Sequence, residues 1–183
     1  MTDFAAEPMD DEAAPAHILA ERPTRADEDA YKQLATLAAK SVAVVSAVQG
    51  RWDVAVTVTD FLSVSYDPPT MLVSLFSLSR IAEAVVASGR FALSVLAHDQ
   101  RAIADRLGEP GAPLVGLLDQ VPHRRREPGG PALVDGAIVW FDLHVAAVHT
   151  AATHLLVIGE VVATSATARW SARPLVRWRS DYQ

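Results

Sequence analysis

The sequence predicts a mainly β fold, an antiparallel barrel closed on itself with a few flanking helices. Half of its 183 residues are apolar, which is enough for the core of one domain. About seven strand-like segments occur, and helical patterns appear only before residue 108, so strands and helices do not alternate as they do around a parallel sheet. Residues 137–149 and 154–166 are typical of a long β-hairpin. Closure of such a sheet removes its exposed edges.

The first half of the chain contains the predicted helices. Residues 28–40 form a helix with one apolar face, and residues 42–48 and 54–59 form strands joined by a turn at Gly50. A polar loop leads to a strand at 70–76. The remaining predictions are a helix at 79–88 with Ser79 as N-cap and Gly89 as stop, a strand at 91–97, and a helix at 98–107.

The rest of the chain is predicted to be loop and strand. Residues 108–135 are rich in Gly and Pro and form a long loop with room for one short strand. The long hairpin follows, and residues 174–183 hold one more short strand.

Acidic residues are concentrated at the N-terminus. Residues 1–30 hold nine of the 22 acidic residues and two of the 16 basic ones, so the remainder is nearly neutral although the net charge is −6. This segment is also rich in Ala and Pro, a composition that buries too little apolar surface to fold. We therefore expect residues 1–28 to be an acidic disordered leader, or alternatively a partner-docking arm, and residues 29–183 to be one domain.

Composition excludes several kinds of function. The chain has no cysteine, which excludes disulfides, thiolate zinc sites and a cysteine nucleophile. No apolar run approaches the ~20 residues of a membrane-spanning helix, and the acidic start is unlike a secretory signal, so we expect a cytoplasmic protein without a membrane partner. The run Arg124-Arg125-Arg126 lacks interleaved aromatic residues and predicts a solvated loop, not a nucleic-acid surface. Contact with a dinucleotide phosphate is the alternative.

The segment 54-VAVTVTDFLSVSYDPPTMLVSL-75 places small hydroxyl groups among large apolar side chains. No histidine accompanies Asp60 and Asp67, so no metal site is expected, and the serines lack a nucleophile elbow. A planar, partly apolar ligand with polar edges, such as flavin, suits this composition. The helix start at Ser79-Arg80 suits a phosphate. On the residues alone, a strand leading into a polar turn is the simpler interpretation.

Five ordered blocks carry a family resemblance. They are 42-VAVVSA-47, 57-TVTDFLSVSYDPP-69 with its continuation to 77-SLSR-80, 88-SGRFALSVLAHDQRAIADRL-107, the hairpin segments 136-GAIVWFDLHV-145 and 154-HLLVIGEV-161, and 174-PLVRWRSDY-182. Together they resemble the flavin reductase-like family. The resemblance implies an FMN-binding split β-barrel of Greek-key topology that forms a homodimer. It also implies an NAD(P)H:flavin oxidoreductase that transfers hydride to FAD or FMN and supplies reduced flavin to a partner monooxygenase.

The resemblance also implies roles for individual residues. Thr57, Val58, Thr59 and Asp60 correspond to the segment along the flavin ring, Ser63 and Ser65 to the ribityl and phosphate side, and Ser79 and Arg80 to the phosphate contact. His154 corresponds to a histidine that orients the nicotinamide or supplies a proton, and Tyr182 to an aromatic cover of the pocket. The structural alternatives are turn hydrogen bonds for Ser63 and Ser65, a helix cap for Ser79, a polar hairpin position for His154 and packing for Tyr182.

Asp60 departs from the family, in which serine is commoner at this position. A carboxylate is compatible with flavin reduction only where it accepts a hydrogen bond from the ring N3–H or a ribityl hydroxyl, so we predict that contact. FAD and NADH are the favoured cofactors, with FMN and NADPH as alternatives. A non-catalytic split-barrel flavin-binding protein, or a flavoenzyme of the same fold that acts on another substrate, are the alternative functions.

Overall fold

The computed structural model describes residues 24–109 and 116–183 and divides the chain into two units, Met1–Ala38 and Ala39–Gln183. Residues 1–23 of the predicted leader lie outside the described residues. The first unit contains helix α1 (Arg25–Ala35), which begins and ends earlier than the predicted 28–40. Its start is fixed by a capping box, in which the Thr24 side chain accepts from the Asp27 N–H while the Asp27 carboxylate accepts from the Thr24 N–H at 2.8 Å. None of its residues is buried.

The second unit is built on a seven-stranded antiparallel sheet. Its strands are β2 (Ala43–Gln49), β3 (Trp52–Val58), β4 (Phe61–Tyr66), β5 (Pro69–Phe76), β6 (Arg90–Val95), β9 (Val139–Ala151) and β10 (His154–Ala166). The order across the sheet is β3-β2-β6-β9-β10-β5-β4. The mainly β, antiparallel class is confirmed, and β9 and β10 form the predicted long hairpin.

The smaller elements lie around this sheet. Strand β1 (Lys40–Ser41) pairs with β11 (Val176–Trp178), which pairs with β12 (Asp181–Tyr182), and β7 (His123–Arg124) pairs with β8 (Leu133–Val134). The helices are α2 (Arg80–Ser88) and α3 (Arg101–Gly108), with short 3-10 turns at His98–Gln100 and Leu117–Gln120. Among the described residues, no helix is long and apolar enough to cross a bilayer.

The sheet is not closed, contrary to the expectation from the sequence. Within the described part of the chain, β3 pairs only with β2 and β4 only with β5, so these two strands form opposite edges of the sheet. They are joined at a corner made of Thr59 and Asp60, where the carbonyl of Asp60 accepts from the Ser74 N–H at 2.8 Å. The corner turns the chain from one edge of the sheet to the other and leaves the edge of β3 open.

Strand β4 replaces the polar loop that the sequence predicts between residues 60 and 69. Phe61 pairs with Val73 and Ser63 with Met71, and an irregularity at Val64 separates Ser63 from Ser65. A turn with a cis peptide bond between Asp67 and Pro68 leads into β5. The prediction was wrong because Ser is typical of turns, whereas here pairing with β5 holds Ser63 and Ser65 in a strand.

Apolar residues pack against both faces of β2. On one face, Val45 and Val54 pack with α2 and with Phe91 and Leu143. On the other, Val44 packs with residues of β3, α3 and the 117–121 turn. Because β2 is covered on both faces, six of the seven residues at 42–48 are apolar. The exception, Ser46, is buried and donates its hydroxyl proton to the Ala132 carbonyl at 2.6 Å.

The ends of helix α2 match the sequence prediction. The Ser79 side chain accepts from the Ala82 N–H at 3.3 Å, and Gly89 ends the helix in the left-handed region with φ of 66°. Because Ala82 and Val85 are fully buried against the sheet, the helix start is held beside the β3–β4 corner.

Candidate functional site

A cavity of about 240 Å³ lies beside the β3–β4 corner and is called cavity A here. Its apolar walls are Val58, Leu75 and Ile81, all of which are buried. Hydroxyl groups and one carboxylate stand at its polar side. The lining residues are Val56, Thr57, Val58, Thr59, Asp60, Ser74, Leu75, Phe76, Ser79 and Ile81. The structure therefore brings five predicted site residues together, Thr57 to Asp60 and Ser79.

The backbone of the corner offers hydrogen-bond donors to cavity A. The N–H groups of Thr59 and Asp60 have no acceptor among the described residues. The hydroxyl of Thr57 is already used, because it donates to the carbonyl of Ala104 in α3 at 2.8 Å. Because Thr59 and Asp60 both line cavity A, their main-chain N–H groups, unpaired within the described part of the chain, are candidate donors to a polar ligand.

The start of helix α2 opens onto the same cavity. Ser79 donates its hydroxyl proton to the Phe76 carbonyl at 2.6 Å and accepts from Ala82, so its cap role is observed. The positive end of the helix dipole lies here and favours an anion. Arg80 does not line cavity A; its guanidinium donates to Gln49 Oε1 at 3.2 Å.

Ser63 and Ser65 lie apart from cavity A. Both line a mostly apolar cavity of about 330 Å³, cavity B, together with Met71, Phe141 and Val161. The Ser65 hydroxyl accepts from the Asp67 N–H and donates to the Asp67 carbonyl, both at 3.1 Å. This is the turn role that the sequence left open as an alternative.

Tyr182 also lies outside cavity A. It lines a cavity of about 460 Å³, cavity C, formed by α3, β11 and β12. The guanidinium carbons of Arg101 and Arg177 lie 5.7 and 5.4 Å from the centre of its ring. The ring is partly buried against the core, so packing and cation–π contacts account for its position.

His154 does not reach cavity A and is connected to it only through its neighbour Phe76. It pairs with Phe76 across β10 and β5, and the two ring centroids are 5.8 Å apart. Phe76 lines cavity A, whereas His154 does not. The imidazole is exposed, and its Nδ1 lies 3.0 Å from the Thr153 hydroxyl.

An ion pair at the corner was not predicted from the sequence. Lys40 Nζ lies 2.5 Å from Asp60 Oδ1. Ser74 and Phe76 were missed as well, because their place in the cavity depends on how β5 pairs with its neighbours. The one usable signal for the ion pair is the rarity of lysine, since Lys32 and Lys40 are the only two in the chain.

The arginine run is fully engaged in ion pairs. Arg124 pairs with Asp135 at 2.9 Å, Arg125 with Asp53 at 2.5 Å and Arg126 with Asp142 at 2.7 Å. The pairs with Asp53 of β3 and Asp142 of β9 attach the 121–136 loop to the sheet, whereas the pair with Asp135 lies within the loop. The predicted solvated loop is therefore partly wrong, because these carboxylates hold the run against the protein.

Asp142 is the centre of this network and is 1% exposed. Burial raises the pKa of its carboxyl group, but hydrogen bonds from Arg90 and Arg126 outweigh burial and bring the pKa below the ordinary value. The same contact raises the pKa of Arg90. The network lies away from cavity A. Among residues 24–109 and 116–183, no cluster of three acidic or histidine side chains is placed to hold a metal ion.

Comparison with known proteins places the chain in a family. A domain family described as flavin reductase like matches residues 36–183. The NADH-dependent flavin reductase StyB of Pseudomonas fluorescens is 31% identical over 159 residues, which cover 85% of this chain and 89% of that protein. The reductase subunit HsaB of a flavin-dependent monooxygenase from Mycobacterium tuberculosis is 30% identical over 141 residues, which cover 77% and 73%.

A solved structure shows the same fold. The styrene monooxygenase flavin reductase of Pseudomonas putida has a TM-score of 0.73 and 29% identity to this chain, and the match covers 83% of this chain and 94% of that one. The predicted split-barrel fold class is thereby confirmed, although the sheet of this chain is open between β3 and β4.

Proposed function

The chain belongs to the flavin reductase-like family, and from that premise we propose that it is an NAD(P)H-dependent flavin reductase. In this proposal it transfers a hydride from NADH or NADPH to FAD or FMN and passes the reduced flavin to a partner monooxygenase. The relatives support this directly, since one is named an NADH-dependent flavin reductase and another the reductase subunit of a flavin-dependent monooxygenase.

The fit of cavity A to a flavin ring is the observation that carries the proposal. A flavin ring system needs apolar walls and hydrogen-bond donors along its pyrimidine edge. Val58, Leu75 and Ile81 supply the walls, and the N–H groups of Thr59 and Asp60 supply the donors. The N-terminus of α2 places the positive end of the helix dipole beside cavity A, where it favours a phosphate. Val58 lies on β3, Leu75 on β5 and Ile81 on the capped helix α2, and the two donors lie at the corner between β3 and β4.

The bound flavin supplies the hydride-accepting chemistry, and the protein supplies position and electrostatics. With the pyrimidine edge of the flavin at the corner, the N–H groups of Thr59 and Asp60 would stabilise the negative charge that grows there on reduction. His154, beside Phe76, is proposed to orient the nicotinamide or to donate a proton during reduction. Ser63, Ser65, Arg80 and Tyr182 stay in the proposal only as contacts for the parts of a ligand that extend beyond cavity A.

NADH is favoured over NADPH on one observation. Each guanidinium of Arg124, Arg125 and Arg126 already contacts a carboxylate. Binding a 2′-phosphate there has to break one of these pairs. FAD is favoured over FMN as the reductase substrate by analogy with reductases of aromatic oxygenases, with FMN as the alternative.

A homodimer is part of the proposal. One row of apolar side chains crosses four neighbouring strands on one face of the sheet. Leu62 of β4 lies opposite Leu72 of β5, which lies opposite Ile158 of β10, and Ile158 lies opposite Ala147 of β9. Leu62 is 53% exposed, and the other three are partly exposed. An apolar row on an outer sheet face suits a second copy of the chain. A cytoplasmic location is proposed with it, since the reaction draws on nicotinamide dinucleotides.

The experiment follows NADH absorbance in air with purified protein and either FAD or FMN. Loss of NADH that depends on added flavin supports the proposal. Flavin binding without NADH loss favours the non-catalytic binding protein, and bound flavin that reacts only with another acceptor favours a different flavoenzyme.

A pair of matched variants tests the location. Ser74 lines cavity A, so Ser74→Phe fills it and abolishes turnover. Ser165→Phe, on an exposed end of β10, leaves turnover unchanged. Equal activity of both variants contradicts the placement of flavin in cavity A.

A further inference from the structure

The ion pair between Lys40 and Asp60 links two separate sheets at the edge of cavity A. Lys40 lies on β1 of the three-stranded sheet, and Asp60 lies at the β3–β4 corner of the seven-stranded sheet. Nζ and Oδ1 are 2.5 Å apart, and the two side chains are 36% and 56% exposed. Asp60 lines both cavity A and a neighbouring cavity of about 260 Å³ that Lys40 also lines.

Asp60 alone is unfavourable for a reduced flavin. This step rests on the proposed function, because reduced flavin is negatively charged near neutral pH. A carboxylate beside the cavity repels that charge, and the repulsion is strong where water is partly excluded. An adjacent ammonium group cancels the repulsion to a large degree. Lys40 is the group in contact with Asp60, so the pair presents almost no net charge to the cavity.

The two oxygens of Asp60 have different surroundings. Oδ1 accepts from Lys40, whereas Oδ2 lies 3.5 Å from the Thr59 hydroxyl, a long contact. Oδ2 therefore keeps capacity to accept a hydrogen bond from a ligand. Among the described residues, no other ion pair of Lys40 or Asp60 is present. Arg177 pairs with Lys40 across β1 and β11, but its guanidinium lies over the Tyr182 ring.

We propose that Lys40 is a positioning residue that holds Asp60 by one oxygen, leaves the other oxygen for an N–H or hydroxyl donor of the flavin, and sets the relative affinity of the protein for reduced and oxidised flavin. Lys40 acts through Asp60 and through its own charge. The Asp60 carboxylate accepts a hydrogen bond from the edge of the flavin. The Lys40 ammonium offsets the carboxylate charge, so that this hydrogen bond can also be made to the anionic, reduced flavin.

A purely structural role predicts a different behaviour. If the pair only joins β1 to the corner, its loss lowers the stability of the protein and weakens both flavin forms equally. Exposed ion pairs of this kind contribute little to stability. The ratio of the two flavin affinities therefore separates the two roles.

The test uses the full chain and four variants, Lys40→Met, Asp60→Asn, the double variant and Lys40→Arg. Dissociation constants for oxidised FMN and FAD are measured by fluorescence, and those for the reduced forms by anaerobic titration. Lys40→Met leaves an unpaired carboxylate and lowers the preference for reduced flavin by about tenfold, which is about 30 mV for a two-electron couple. Asp60→Asn has the opposite effect and raises the preference for reduced over oxidised flavin. The double variant returns to the ratio of the unaltered protein, and Lys40→Arg retains it.

Two outcomes overturn the proposal, and they are distinguishable from failure of the proposed function. If the variants bind flavin and shift thermal stability but leave the ratio unchanged, the pair is only a link between sheets. If the double variant does not restore the ratio, charge balance is not its cause. If the unaltered chain binds neither flavin, the proposed function itself is wrong.

Discussion

Arg90 holds the buried carboxylate of Asp142 with two hydrogen bonds, from Nε to Oδ1 at 3.0 Å and from Nη2 to Oδ2 at 2.6 Å. Arg126, in the 121–136 loop, donates from Nε to the same Oδ2 at 2.7 Å. The two guanidinium groups compensate the desolvation of a side chain that is 2% exposed. The contact fixes the 121–136 loop over β6 and β9.

Removal of Arg90 is therefore expected to destabilise the protein strongly. In Arg90→Met the Asp142 carboxylate stays buried with one partner, and the free energy of unfolding falls by about 3 kcal/mol. Arg124→Met removes an exposed pair with Asp135 and costs less than about 1 kcal/mol. Urea unfolding at pH 7 measures both. Equal losses for the two variants contradict the assigned importance of burial.

The Asp142 contact also predicts a pH dependence. Because the folded pKa of Asp142 is below its unfolded value, the group stabilises the protein above about pH 4, and that contribution is lost as pH falls through the folded pKa. Asp142→Asn removes this pH-dependent contribution to stability. We expect the stability gap between the unaltered protein and this variant to be constant from pH 7 to pH 5 and to narrow below about pH 4. Urea midpoints at four pH values measure the gap, and a gap that widens in acid is inconsistent with this account.

Local features of the fold were predictable from the sequence. The caps of α2 at Ser79 and Gly89, and the β9–β10 hairpin, depend on residues close together in the chain. Strand β4 was not predictable, because its serines and its turn residues are typical of loops and only pairing with β5 makes it a strand. The open edge at β3 was missed for the same reason, since closure depends on partners far apart in sequence.

The candidate site also contains residues that the sequence places correctly and residues whose positions depend on strand pairing. Thr57 to Asp60 and Ser79 come together because the corner and the α2 cap adjoin through β5. Ser63 and Ser65 follow the corner directly in sequence, yet strand alternation and the irregularity at Val64 carry them to cavity B. Lys40 reaches Asp60 from another sheet, and no spacing rule anticipates such a contact.

Gly159 of β10 is required by close packing. A Cβ atom at this position lies 2.8 Å from two ring carbons of Phe91, which is 1% exposed, and 3.1 Å from Leu143 Cβ. Gly159→Ala overpacks this layer and lowers the free energy of unfolding by about 2 kcal/mol. At Gly108 the nearest atom is Thr57 Cβ at 3.5 Å, an ordinary contact, so Gly108→Ala is the tolerated control. Thermal unfolding compares them, and a neutral Gly159→Ala disproves the packing argument.

His154 gives a kinetic prediction. If its imidazole supplies a proton to the flavin during reduction, His154→Gln lowers kcat by about 100-fold. His149 lies on the same hairpin, pairs with Leu156 and is exposed, so His149→Gln is the matched control and leaves kcat unchanged. Stopped-flow reduction of flavin by NADH measures the step. A change in KM without a change in kcat assigns His154 to binding of the nicotinamide and rejects the proton-donor role.

Ser79 separates helix capping from phosphate binding. Ser79→Ala loses the bond to the Ala82 N–H and costs about 1 kcal/mol of stability, whereas Ser79→Asp keeps a good cap and stays stable. The added carboxylate repels a phosphate at the α2 start, so Ser79→Asp weakens FMN binding by about tenfold. Riboflavin, which has no phosphate, is the matched ligand and binds both proteins alike. Urea unfolding and fluorescence titration measure the two effects. Equal weakening of FMN and riboflavin places the phosphate elsewhere and leaves Ser79 with the cap as its role.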